Sequence, residues 1–226
     1  MPYRPEYTIE INPNFGRKMG IGKEELKHIA IAVLVLSVSF TILYRNAVGF
    51  FSSNWALNLL GWFAFSLVAV TCSFLLHELA HKFVAQKMGA WAEFRMYPAG
   101  LIMGLIMSVI GFLIAAPGAV MISGRINDKD NGLISIAGPV VNGALAVIFL
   151  ALALKTTGAI MVLFYLIANL NIILAIFNML PIMPFDGSKV YKWNKTVYFV
   201  TAGILVALYI LINRLGRSGG IPPARS

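Results

Sequence analysis

Two histidines and a glutamate stand together in His77-Glu78-Leu79-Ala80-His81, inside one of the most apolar stretches of the chain. An ionisable side chain at the centre of a membrane helix costs about 2.5–3.5 kcal/mol on insertion scales, so each such group needs a partner or a task. At about 100° per residue, an i, i+4 pair lies only about 40° apart around a helix, and both imidazoles can grip one metal ion. Glu78 points about 100° from His77 and about 60° from His81, beside the pair, where it can reach a water at the metal without being a ligand. The pattern H-E-x-x-H recurs by chance in unrelated proteins; its place within a membrane run makes it informative. The competing reading has His77 and His81 in interhelical hydrogen bonds and Glu78 paired with Lys82 at i+4. That reading must explain three costly groups separately, whereas one zinc ion accounts for them together.

A catalytic zinc site takes three protein ligands and leaves a fourth position open to water. Of the nine acidic residues, only Glu78 and Asp186 read as embedded in long apolar surroundings. Asp186 is therefore the expected third ligand, in Asn178-Met-Leu-Pro-Ile-Met-Pro-Phe-Asp-Gly187. Pro181 and Pro184 break the helix there, and irregular backbone at membrane depth is tolerated only where protein covers it or it lines a watery cavity. The alternative is an interfacial turn whose aspartate merely faces water.

The composition sets the class of protein that must position these groups. Hydrophobic residues make up 59% of the 226, well above the roughly half expected of soluble domains, which points to an integral membrane protein. Apolar runs long enough to cross a bilayer core of about 30 Å lie near 28–47, 56–82, 133–154, 159–181 and 196–213. The polar stretch 1–27 does not resemble a cleavable signal peptide and is expected to be retained; within it, YTIEINPN alternates as a short strand would. The 18 lysines and arginines are scattered between apolar runs with no basic stripe, so the formal charge of +9 reads as orientation signals and lipid-headgroup contacts, and nucleic acid is not an expected partner. A single cysteine, Cys72, excludes an internal disulfide and a cysteine-based zinc cluster. Residues 214–226 have the composition of a flexible tail.

With these stretches in hand, the chain resembles the site-2 protease family of intramembrane zinc metalloproteases. The resemblance rests on HELAH at 77–81, AGPVVNG at 137–143 and NMLPIMPFDG at 178–187, and covers a three-helix core of about 56–187. It implies that His77, His81 and Asp186 bind Zn2+ and that Glu78 is the catalytic base. Phe185 replaces the aliphatic residue usual before that aspartate, and the segment from Gly100 to Val120 is longer than the matching connection in many relatives. The oxygen that becomes negative during peptide hydrolysis needs donors besides the metal. Asn178 and Asn142 are the membrane-embedded amides expected to provide them, the resemblance favouring Asn178; an interhelical hydrogen bond is the structural alternative for either. Gly138 and Pro139 are expected to allow close helix packing and to start a helix.

Ligand geometry constrains the topology. His77 and His81 lie near the exit of the second span and Asp186 just past the exit of the fourth, so both spans must leave the membrane on one side. Were Gly100–Val120 to cross fully, Asp186 would be stranded on the opposite face. Residues 91–120 are therefore expected to re-enter or to enter and leave on one side, and AEFRMYPAG could offer a strand edge to an unwound substrate. The bias of basic residues is nearly the same for five and six spans, and the five-span arrangement leaves Arg214, Arg217 and Arg225 outside.

The expectation is thus an all-α, polytopic transmembrane bundle with a three-helix catalytic core and a re-entrant β/loop element, spanning 28–213, in a prokaryotic cell membrane. Its leading function is a zinc endopeptidase acting on transmembrane protein substrates, as in regulated intramembrane proteolysis. A metal transporter and a non-catalytic binder of transmembrane segments are the competing classes; a transporter usually shows repeated halves, and no repeat is evident.

Overall fold

The computed structural model describes residues 20–44, 51–112 and 115–218. Helix α1 (Lys23–Tyr44) is followed by α2 (Trp55–Val70), which Asn54 caps by accepting from the amides of Ala56 and Leu57. A π-helical turn, Thr71–Leu75, then leads without a break into α3 (Leu76–Lys87). Such turns insert one extra residue into the helical repeat and are frequent at functional sites. Here the turn re-aims the face that carries His77 and His81.

Gly89, at φ +81°, ends α3 and turns the chain into strand β1 (Trp91–Met96). Helix α4 (Pro98–Ile110) starts with proline in its first turn and stops at Gly111, at φ +101°. Strand β2 (Gly118–Ser123) then pairs antiparallel with β1, Trp91 opposite Ser123 and Met96 opposite Gly118. The hairpin brings the chain back beside the point where it left α3, so residues 91–123 do not carry it to the other end of the bundle. A return to the same end is what the ligand geometry demanded of residues 91–120.

Helix α5 (Asp128–Leu154) opens with a capping box, Asn127 accepting from the Asp130 amide at 2.8 Å. It runs antiparallel to α6 (Gly158–Asn178), and a short α7 (Asp186–Trp193) and α8 (Lys195–Ser218) complete the order. Among the described residues, five helices are long and apolar enough to cross a membrane: α1, the continuous rod Trp55–Lys87, α5, α6, and α8 as far as Gly216. The protein is an all-α polytopic bundle with one small two-stranded sheet.

Several boundaries differ from the sequence expectation. Arg214 and Arg217 belong to α8, which runs past the tail boundary expected at 214, while YTIEINPN and Arg225 lie outside the described residues. Pro139 does not start a helix; it stands inside α5.

Candidate metal centre

The site is assembled from α3 and the start of α7, packed against α5. Successive turns of α3 place His77 and His81 side by side, their rings 4.6 Å apart and nearly perpendicular. Both are buried against α5, at 3% and 7% exposure. Asp186 comes from the start of α7, slightly different from the loop position expected for it, and an acidic residue suits the first turn of a helix. The chain can reverse there because residue 187 is glycine: a Cβ at that position would stand 2.2 Å from the Met179 carbonyl oxygen.

Three donor atoms converge. His77 Nε2 lies 3.0 Å from His81 Nε2, and Asp186 Oδ2 lies 3.4 Å from the first and 3.1 Å from the second. A tetrahedral zinc ion with bonds of about 2.0–2.1 Å sets its ligand atoms about 3.3 Å apart, so the three side chains fit that ion. His81 Nδ1 sits 2.8 Å from the Ile134 carbonyl oxygen, which can only accept. The proton therefore resides on Nδ1 and the Nε2 lone pair is free to face a metal, the outer hydrogen bond that metal-binding histidines commonly make. Lone pairs and a carboxylate aimed at one point repel one another unless a cation stands among them.

Helix α5 makes room for this arrangement. Gly138 has no side chain where a Cβ would stand 2.5 Å from His81 Nε2 and 2.6 Å from His77 Nε2. Pro139, next to it, removes an amide donor and bends a helix at the preceding turn. Ile134, whose carbonyl receives His81, lies in that turn. The glycine and proline of AGPVVNG thus shape the pocket around the imidazoles, and their part is greater than general helix packing.

Glu78 lies beside the sheet, with the backbone amide of Val120 in β2 near its carboxylate. Its partner is not Lys82. The Lys82 ammonium, one turn further along α3, is buried and bonds to Glu25 and to the Gly20 carbonyl, the latter at 2.8 Å. Glu25 is fully buried, although its setting in KEELKHIA reads as the polar start of a helix. Nothing in the local sequence separates it from its exposed neighbour Glu24. The two amides differ as well. Asn178 is part-buried, with Nδ2 donating to the Leu174 carbonyl at 3.0 Å, while Asn142 is fully buried and neither of its polar side-chain atoms has a partner among the described residues.

Comparison with known proteins agrees with this geometry. The chain is 40% identical over 187 residues to MJ0611 of Methanocaldococcus jannaschii, a match covering 81% of this chain and 92% of the relative. That relative is named, provisionally, as a zinc metalloprotease. The chain belongs to this zinc metalloprotease family. Two bacterial relatives carry the same provisional assignment. YwhC of Bacillus subtilis is 31% identical over 182 residues, 66% of this chain and 81% of the relative. Rip3 of Mycobacterium tuberculosis is 30% identical over 145 residues, 61% of this chain but only 33% of its own length. No protein-family profile and no solved structure matches the chain. For a zinc metalloprotease, the set of two imidazoles and a carboxylate with a neighbouring glutamate is the chemistry expected of the centre.

Proposed function

We propose that this family member is an intramembrane zinc endopeptidase of the site-2 protease type, which hydrolyses peptide bonds in transmembrane segments of other membrane proteins, in a prokaryotic cell membrane. The observation that carries the proposal is the convergence of His77 Nε2, His81 Nε2 and Asp186 Oδ2 within 3.4 Å of one another beside Glu78. His77, His81 and Asp186 would hold the zinc. Zinc, when bound, supplies Lewis-acid polarisation of the scissile carbonyl and lowers the pKa of water towards about 7.

The chain's own residues supply the rest. Glu78 accepts a proton from the attacking water and returns it to the leaving amine, which completes the hydrolysis without another acid. The Val120 amide, near the Glu78 carboxylate, would help to keep it in place between these transfers. As the carbonyl oxygen becomes negative it needs donors, and both amides have one to offer. Asn178 uses one Nδ2 hydrogen on Leu174, which orients the amide and leaves the second hydrogen available. Among the described residues, Asn142 has both hydrogens uncommitted.

A substrate helix must unwind to expose its carbonyl, and a sheet edge can hold the extended product of that unwinding. The edge proposed from the sequence, that of residues 92–97, is not the available one. On its outer side the Phe94 amide already donates to Glu25 at 2.9 Å and the Ala92 carbonyl accepts from Gln86 at 3.2 Å. The outer edge of β2 takes that role instead, apart from the Val120 amide, which lies against Glu78.

Zinc content and cleavage of a transmembrane substrate, measured in detergent for wild type and Glu78→Gln, test the proposal. About one zinc in both, with cleavage only by the wild type, is the expected result. Zinc in neither protein overturns it, and metal flux across vesicles without cleavage would indicate a transporter.

A further inference from the structure

Three polar residues at i, i+4 and i+8 of α3 form a stripe along the sheet, next to the stripe that carries the imidazoles. Glu78 meets the Val120 amide, Lys82 meets Glu25, and Gln86 meets the Ala92 carbonyl. The middle contact is the unusual one, because lysine and glutamate one turn apart on a helix attract each other and Lys82 stands at i+4 from Glu78. Left to itself, the ammonium would close on the catalytic carboxylate and occupy the lone pairs that must take a proton.

Instead Lys82 is held elsewhere. Glu25, the first buried residue of α1, presents Oε2 to Lys82 and Oε1 to the Phe94 amide, and Oε2 also lies 3.3 Å from the Gly22 amide. The Gly20 carbonyl accepts a second hydrogen of the same ammonium. Both side chains are nearly excluded from solvent, Glu25 at 0% and Lys82 at 4% exposure, so neither charge has water as an alternative partner. Phe94 stands opposite Val120 in the sheet, so the strand anchored by Glu25 is hydrogen-bonded to the strand that holds Glu78.

We infer that Glu25 is a positioning residue for Glu78: it captures the Lys82 ammonium and so keeps the neighbouring carboxylate free to act as a base. The inference rests on the role proposed for Glu78, but the location of the Lys82 ammonium can be read without any cleavage assay.

The experiment compares wild type, Glu25→Gln, and the double variant Glu25→Gln/Lys82→Met, each in detergent with bound zinc quantified. A membrane-permeant carbodiimide, which joins a carboxylate to an amine in contact with it, is applied and the products are mapped by mass spectrometry. The expected cross-link is Glu25–Lys82 in wild type and Glu78–Lys82 in Glu25→Gln. In the cleavage assay, Glu25→Gln is expected to lose at least about tenfold in kcat per bound zinc with KM unchanged, the signature of a lost transition-state function. The double variant, which leaves no buried charge without a partner, is expected to return to within about threefold of wild type. Absence of a Glu78–Lys82 cross-link in folded Glu25→Gln overturns the inference. So does a folded, zinc-loaded double variant that stays as slow as Glu78→Gln, and this arm remains decisive if Glu25→Gln does not fold. Failure of the wild type to cleave would count against the protease reading, while the cross-link still decides the position of Lys82.

Discussion

Gly138 of α5 faces the imidazole of His81 so closely that a methyl group there would stand 2.5 Å from Nε2, the atom proposed to face zinc. His77 Nε2 would be 2.6 Å away, so neither ring could retreat towards the other. Gly138→Ala is therefore expected to lower zinc affinity by about 10–100-fold, the range seen when the surroundings of metal-binding residues are disturbed. Gly143→Ala is the control on the same helix. Its new methyl would meet the flexible end of Leu205 at 2.9 Å, and zinc affinity is expected to stay near that of wild type. Competition with a chelator of known affinity measures both; equal affinities for Gly138→Ala and wild type would place the zinc elsewhere.

Asn142 tests whether a buried amide is held for chemistry or for packing. A polar group buried without a partner costs about 1–3 kcal/mol, and an apolar residue of similar shape removes that cost. Asn142→Leu is thus expected to match or exceed the wild type in thermal stability. If the amide serves the developing oxyanion, the same variant loses about 10²–10³-fold in kcat with zinc retained. Asn178→Ala is expected to show the same kinetic loss. Full activity in either variant removes that asparagine from the mechanism.

Lys189 places its ammonium 3.7 Å from Asp186 Oδ1, the oxygen turned away from the imidazoles. The contact favours one orientation of the carboxylate, with Oδ2 left for the metal. The lysine side chain is about one-third exposed, and contacts of this kind contribute at most about 1 kcal/mol. Lys189→Met is accordingly expected to weaken zinc binding by no more than about fivefold, with cleavage at saturating zinc little changed. A loss of a hundredfold would mean that Lys189 does more than orient Asp186.

How far the sequence disclosed this arrangement depended on the range of each interaction. His77, Glu78 and His81 were legible because helical spacing alone determines which side chains are neighbours, and Asp186 because two prolines and a glycine surround it. The strand at 91–96 falls largely within AEFRMYPAG, read from the sequence as a possible strand edge. Glu25 was not legible: its burial comes from Lys82 and Phe94, more than fifty residues away, and no local pattern separates it from Glu24. The pairing of Glu78 with Lys82 was the natural local alternative, and it failed because a distant carboxylate competes successfully for the lysine. The path after Gly100 was obscure for the same reason, since an apolar run reads alike in a helix and in a strand until its partner strand is known.

Gly118 begins β2, the strand whose Val120 amide supports Glu78, and it holds φ +154° with the Arg95 carbonyl oxygen 2.4 Å from where a Cβ would stand. Alanine cannot occupy that space without pushing β2 away from β1, and Val120 lies only two residues further on. The zinc ligands proposed here are on α3 and α7, outside the sheet, so the disturbance reaches the base and leaves the metal. Gly118→Ala is expected to bind zinc as wild type does and to cleave at least about tenfold more slowly, in line with the cost of misplacing a catalytic group by about 1 Å. Zinc content and single-turnover cleavage measure the two halves separately. Loss of zinc would show that the sheet supports the metal centre as a whole, whereas unchanged cleavage would remove β2 from the positioning of Glu78.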